Sequence, residues 1–211
     1  MTTLLFDFDG TLADSLSAIV TITNRLSPEF GYRPTPLSEV EGLKGMTARQ
    51  LIRYSGIPVL KVPALLRRVR MELRLQGAEI PPCLGVPEVI RELHGQQHQL
   101  GIITSNTAET VQAFLQAHQL EACFSSVTGK GTLFRKGRLI THYLNEHRLS
   151  PTQTVYVGDE VRDVEAARAA GVRSVAVAWG FNSRAVLATA VPDWLIDEPA
   201  KLVAIAATLA T

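Results

Sequence analysis

Four short apolar runs punctuate this sequence: TLLF (3–6), LGII (100–103), TVYV (154–157) and SVAVAW (174–179). They are rich in Val, Ile and Leu and lack a clean polar–apolar alternation, the pattern of strands covered on both faces in a parallel sheet. Stretches with helical spacing lie between them: VPEVIRELHG (86–95), TAETVQAFLQAHQL (107–120), KGRLITHYLNEHRL (136–149) and VRDVEAARAAG (161–171). The last ends in a glycine suited to a C-cap. DWLID (193–197) reads as a further short edge strand. Strands alternating with helices predict the α/β class, a doubly wound parallel sheet.

Residues 14–82 break this rhythm. DSLSAIVTITNRL, TARQLIRYSG and VPALLRRVRMELRLQG all read as helix, separated by loops with Pro34, Pro36, Gly42, Gly45 and Pro58. A βαβ crossover needs far fewer residues. The segment is therefore expected to be a helical domain inserted after the first strand, with Pro81-Pro82 at one of its two connections. Residues 1–13 and 83–211 then form the core. The alternative is that these helices pack on the sheet as one domain.

Three of the apolar runs give way to small or acidic polar residues. TLLF leads into Asp7-Phe8-Asp9-Gly10-Thr11, LGII into Thr104, Ser105 and Asn106, and TVYV into Gly158, Asp159 and Glu160, with Asp163 close behind. In an open parallel sheet the C-terminal strand ends share one edge, where ligands bind. The three clusters should converge there. Asp7, Asp9 and Asp159 would repel one another unless a cation sat among them. An all-oxygen donor set favours a hard cation, magnesium first. Lys136, opening a helix, is the candidate partner for a phosphoryl group, with Lys130 as the second choice. Either is otherwise an ordinary surface lysine. Thr104, Ser105 and the Asn106 backbone stand at a strand-to-helix junction, where hydroxyl and N–H groups can receive phosphate oxygens or cap the helix. Gly10 lets the chain turn beside the carboxylates without a Cβ clash.

Composition narrows the partners. The chain has 211 residues, 46% hydrophobic and 19% charged, which suits a globular protein with a main core and a smaller appendage. A formal net charge of +1 gives no global reason to expect nucleic acid or an acidic membrane. Lys61, Arg67, Arg68, Arg70 and Arg74 line one helix without interleaved aromatics and read as a solvated basic face. Cys83 and Cys123 show no zinc or CxxC spacing and read as reduced thiols in a cytoplasmic protein. No signal peptide is expected before Asp7. LVAIAATLA (202–210) falls far short of the roughly 20 residues of a membrane span.

These residues resemble a known pattern. DFDGTLADS resembles the first motif of the haloacid dehalogenase superfamily, IITSN its second, Lys136 in LFRKGRLI its third, and YVGDEVRD its fourth, in the family's order. AARAAGVRSVAVAWGFNS is similar to the stretch after the fourth motif in phosphoglycolate-phosphatase-like members. The resemblance implies a Rossmann-like core with a helical cap between the first two motifs. It implies an Mg2+-dependent phosphatase acting on a small phosphorylated metabolite, of phosphoglycolate or sugar-phosphate type, through an aspartyl-phosphate.

By that resemblance Asp7 is the nucleophile and Asp9 the acid and base. Asp7, the Asp9 carbonyl and Asp159 hold the metal. Thr104 and Lys136 hold phosphoryl oxygens, with Gly10, Thr11, Ser105 and Asn106 in the phosphate site, and Asp163 orients Lys136 or a metal-bound water. GLKGMTARQL (42–51) is similar to a cap loop aimed at the active site, which makes Lys44 and Arg49 substrate candidates. Glu160 and Arg162 occupy positions where members vary. Dehalogenases of the superfamily lack the second carboxylate, so Asp9 argues for phosphoryl chemistry. The alternatives are a phosphomutase of the β-phosphoglucomutase type and a catalytically silent binding protein on the same fold. A monomer or homodimer is expected.

Overall fold

The structure, a computed structural model, describes residues 2–129 and 136–209. Six strands, β1 (Thr3–Phe6), β2 (Gln99–Thr104), β3 (Ser126–Gly129), β4 (Thr154–Gly158), β5 (Arg173–Val177) and β6 (Trp194–Ile196), form one parallel sheet in the order β3-β2-β1-β4-β5-β6. β1 lies between β2 and β4, with Leu5 beside Gly101 and Tyr156. The apolar runs expected as strands fall in β1, β2, β4 and β5, and DWLID supplies β6. β5 ends at Val177, leaving Ala178 and Trp179 in the following loop. β3 was not among the expected strands: its residues SVTG are all only half-buried and form no apolar run.

The helices are α1 (Leu16–Phe30), α2 (Val40–Leu43), α3 (Ala48–Ser55), α4 (Val62–Gln76), α5 (Val86–Gly95), α6 (Ala108–Ala117), α7 (Lys136–His147), α8 (Val161–Ala169), α9 (Arg184–Thr189) and α10 (Lys201–Leu209). They cover both faces of the sheet. Leu4, Phe6, Leu100, Ile102, Val155 and Val157 pack with apolar residues of α5, α6 and α10. Their strand neighbours Leu5, Ile103 and Tyr156 point the other way, onto Ile140, Tyr143 and Leu144 of α7 and Ala166 and Ala167 of α8. Each fully buried Leu or Ile is worth about 1.5–3 kcal/mol. Two-sided burial is why the strands read as continuous apolar runs.

Between β1 and α5 the described chain contains helices and no strand. It leaves and returns at one point. Asp14 N donates to Pro81 O at 2.8 Å and Cys83 N to Leu12 O at 2.9 Å, with Ala13 and Pro82 paired antiparallel. α4 packs against α1 and α6, and Ile22, Leu26, Leu65, Val69 and Leu73 join the apolar cluster on that side of the sheet. α1 tolerates Pro28 in its last turn. The carbonyl of Asn24, which a proline cannot serve, accepts instead from Ser27 Oγ at 2.8 Å. The basic residues of α4 divide. Arg67, Arg68 and Arg74 are exposed, and Arg68 pairs with Glu29 and Glu72. Arg70 is half-buried and turned inward.

Cys83 and Cys123 are free and buried. Among the described residues no helix is long and apolar enough to cross a membrane.

Candidate active site

Strand order reverses at β1, so the crevice beyond the ends of β1, β2 and β4 is the natural ligand site of this fold. Asp7 is the first residue beyond β1. Its N–H continues the ladder to Val157 O at 2.8 Å, and its Oδ1 accepts from Phe8 N at 2.8 Å. Its Oδ2 accepts from Lys136 Nζ at 2.6 Å, and the same ammonium donates to Asp163 Oδ1, also at 2.6 Å. Lys136 is the first residue of α7 and lies 5.5 Å from the centre of the Tyr156 ring. All three charged side chains are at least 95% buried. Burial works against the ammonium, yet Asp163 and Asp7 more than offset it and hold the Lys136 pKa well above its ordinary value. Burial pushes Asp7 upward against the pull of Lys136.

After Asp7 the chain turns tightly. Phe8 O accepts from Thr11, Leu12 and Ala13 N–H groups. Gly10 has φ +75°, and a Cβ there would lie 2.2 Å from Asp159 Oδ2. Its glycine is needed both for the turn and for the approach of that carboxylate. Asp9 leaves the turn toward Asn106, whose Nδ2 donates to it at 3.1 Å. Burial pushes Asp9 up to about 6, with Ser15 and Asn106 pulling down and the Asp7 charge pushing up.

The end of β2 is buried as well. Thr104 Oγ1 accepts from Asn106 N at 3.0 Å, which leaves its hydroxyl proton available. The N-cap of α6 is Thr107, which accepts from Thr110 N, so residues 104–106 are relieved of that role.

Beyond β4, Asp159 is fully buried and accepts from Thr11 Oγ1 at 2.9 Å and Phe181 N at 2.7 Å. Burial first, then Glu160, Asp163 and Asp7, push its pKa well above the carboxylate range. Glu160 and Asp163 form a capping box at the start of α8, and this places Asp163 against Lys136. Arg162 pairs with Glu160, and its Nε is buried with no partner among the described residues. Burial first, then the charge of Arg162, lowers the Arg70 pKa from its ordinary value, with the charge of Asp9 pulling the other way. The carboxylate oxygens of Asp7, Glu160 and Asp163 lie within 4.8 Å of one another.

Asp7, Asp9, Thr104, Asn106, Lys136, Asp159 and Asp163 therefore meet at one edge, as do Gly10 and Thr11. Lys44 pairs with Glu41 at 3.1 Å, and its carbonyl accepts from Ser183 N at 2.8 Å. Arg49 is exposed on α3, and among the described residues no hydrogen bond or ion pair joins it to this cluster. Ser105 is half-buried beside Thr104. Lys130 lies outside the described residues. Glu160, Arg162, Arg70 and the loop from Trp179 to Ser183 belong to the site without having been assigned from sequence. A glutamate spaced three before Asp163 was the available signal for the first.

The oxygen-only cluster of Asp7, Asp163 and the half-buried Glu160 suits a hard cation such as magnesium, although Asp159, expected as a ligand, is not one of the three. Each carboxylate offers about four lone-pair positions, so the two hydrogen bonds on Asp159 leave it able to ligate.

A parallel sheet with acids and a buried lysine at its switch point is a doubly wound fold with a polar, charged ligand site. The family model for haloacid dehalogenase-like hydrolases matches residues 4–177, and the chain belongs to that family. The phosphoglycolate phosphatase of Synechococcus elongatus is 38% identical over 204 residues, covering 96% of this chain and 95% of its own length. That of Aliivibrio fischeri is 27% identical over 96% of this chain and 95% of its own length. A haloacid dehalogenase-like family hydrolase of Streptococcus pneumoniae superposes with a TM-score of 0.81 at 23% identity, covering 97% of this chain and 98% of its own. The chain is a phosphoric monoester hydrolase.

Proposed function

We propose that this enzyme is an Mg2+-dependent phosphatase that hydrolyses a small anionic phosphomonoester of phosphoglycolate size through an aspartyl-phosphate on Asp7. The observation that carries the reading is the buried Asp7–Lys136–Asp163 bridge, with a second carboxylate two residues on that burial holds near pH 6.

Asp7 attacks phosphorus in line, and the bond to the leaving oxygen breaks. Protonated Asp9 gives its proton to that oxygen. Asp9 then takes a proton from the water that attacks the aspartyl-phosphate, so inorganic phosphate leaves and Asp7 is restored. A pKa near 6 suits a group that alternates between acid and base. Lys136 and the Thr104 hydroxyl balance the phosphoryl oxygens, and Asp163 keeps Lys136 oriented and charged. The Thr11, Ser105 and Asn106 positions line the same phosphate site. Bound by Asp7, the Asp9 carbonyl and Asp159, with Glu160 adjacent, magnesium would draw charge from the phosphoryl group.

Residues 14–82 act as a cap over a core of residues 1–13 and 83–211, on the paired connections at 13–14 and 81–83. Lys44 and Arg49 are its candidates for substrate contact. Arg70 joins them, because it is half-buried and within reach of the charges of Arg162 and Asp9. An oxyanion between Arg70 and Arg162 would relieve their repulsion and partner the buried Arg162 Nε–H. A substrate with a carboxylate one carbon from its phosphate ester meets that need, and the names of the relatives agree.

A phosphomonoester panel assayed for phosphate release with magnesium, beside Asp7→Asn, decides the matter. Release from a carboxylated ester is expected, with a loss of roughly 10⁴-fold or more in the variant and an unchanged fold. Isomer exchange of a sugar phosphate without phosphate release would replace this reading with a mutase.

A further inference from the structure

The loop between β5 and α9 carries no ionisable side chain from Trp179 to Ser183, yet each of these residues meets another part of the site. Trp179 Nε1 donates to Thr11 O at 3.1 Å. A Cβ on Gly180 would lie 2.3 Å from Asp159 Oδ2, so only glycine lets the loop pass there. Phe181 N donates to Asp159 Oδ2, and Asn182 N to Asp159 O at 3.2 Å.

The Asn182 side chain then spans two regions. Buried to all but 4%, it accepts from Val161 N at 3.1 Å through Oδ1 and donates to Met46 O at 3.1 Å through Nδ2. Next to it, Ser183 N donates to Lys44 O at 2.8 Å. The orientation of the amide is forced. Turned over, its NH2 would face the Val161 N–H and its oxygen the Met46 carbonyl, both repulsive. Neither an ionised aspartate nor a leucine of the same size can present an acceptor to one and a donor to the other.

We propose that Asn182 is a positioning residue that ties the 44–46 turn of the helical segment to the Asp159–Val161 loop, so that Lys44 and the phosphate site are set together. Val161 opens the helix that carries Asp163, and Asp163 holds Lys136. The turn at 44–46 carries the Lys44 side chain. A substrate that contacts Lys44 is thereby placed relative to Asp7 through one carboxamide. The catalytic part of this inference rests on the phosphatase reading, whereas its structural part does not.

Asn182→Asp separates the two halves. At pH 8 an aspartate keeps the acceptor for Val161 N–H and sets an oxygen against Met46 O. Hydrogen exchange supplies two reporters, since the Val161 amide is held by Asn182 itself and the Ser183 amide by the 44–46 turn. In Asn182→Asp, Ser183 is expected to exchange at least about 10-fold faster while Val161 stays within about 2-fold. KM for the best phosphomonoester should rise roughly 5-fold, the scale of one hydrogen bond, and by a larger factor than kcat falls. Asn182→Ala should free both amides and lower kcat as well. Wild-type exchange at Ser183 together with wild-type KM in Asn182→Asp would overturn the proposal. So would equal acceleration at both amides, which marks a merely loosened loop. If the wild-type enzyme releases no phosphate from any ester, the phosphatase reading falls, and the ratio of the two exchange rates still decides the role of Asn182. Asn182→Asp carries the test even if Asn182→Ala fails to fold.

Discussion

The sheet edge and the helical segment present their polar groups to the crevice in different ways. At the edge, Asp7, Thr104, Lys136, Asp159 and Asp163 are all at least 95% buried; Lys136 bridges Asp7 and Asp163, Asp159 accepts from Thr11, and Thr104 accepts from the Asn106 N–H. Across the crevice, Lys44 pairs locally with Glu41, Arg49 is exposed, and the contact with the loop after β5 runs through the backbone carbonyls of Lys44 and Met46. Preorganised charge costs no reorganisation when charge develops in a reaction, so the edge suits chemistry. Backbone-held turns leave their side chains free to differ, which suits the choice of substrate.

This contrast can be broken at several points. On the edge, Asp9→Asn should lower turnover about 10²–10⁴-fold, measured as phosphate release at saturating substrate, because the leaving oxygen loses its acid. The same variant tests the raised pKa through stability. Asp9 sits near 6 in the folded chain against an ordinary value of 3.8, so the folded state binds the proton more tightly. Its contribution is fully present below pH 4 and is lost as pH rises through 6. Metal-free protein should therefore lose about 2 kcal/mol between those limits, with partial exposure allowed for, and Asp9→Asn should flatten that slope in denaturant titrations.

Lys136→Met should leave Asp7 and Asp163 buried and unpaired. A loss of about 3–5 kcal/mol in urea unfolding near neutral pH is expected, along with activity. A mild effect there would mean that the edge is less preorganised than its geometry indicates. The smallest effects belong to the helical segment. Lys44→Ala should raise KM a few-fold, while Arg49→Ala, on the exposed side of α3, should change it by less than about 2-fold. A large effect of Arg49→Ala would show that the segment closes further when substrate binds.

Much of the edge was legible because each signal was local. An apolar run that stops at Asp, Thr or Gly marks both the strand and its end, and parallel strands put those ends together without any knowledge of the packing. The helical character of residues 14–82 was legible for the same reason. β3 was not, since SVTG at the sheet margin is half-buried and needs no apolar pattern. Arg70 looked like its neighbours Arg67, Arg68 and Arg74. It follows Val69 at the border of the buried stripe, and only the packing of α4 against α1 and α6 brings it under the charges of Asp9 and Arg162.

The sequence by itself determined the fold class, the strands at its centre and the identity of the acids and lysine that meet at their ends. Periodicity and chain direction decide those things, and both are properties of short stretches. Tertiary structure alone decided that Asp163 and Asp7 share one ammonium, that Asp159 fills the space a Cβ on Gly10 would need, and that Asn182 bonds to a carbonyl 136 residues before it. Such contacts depend on which loops are brought within about 3 Å, and no local pattern of side chains encodes that distance.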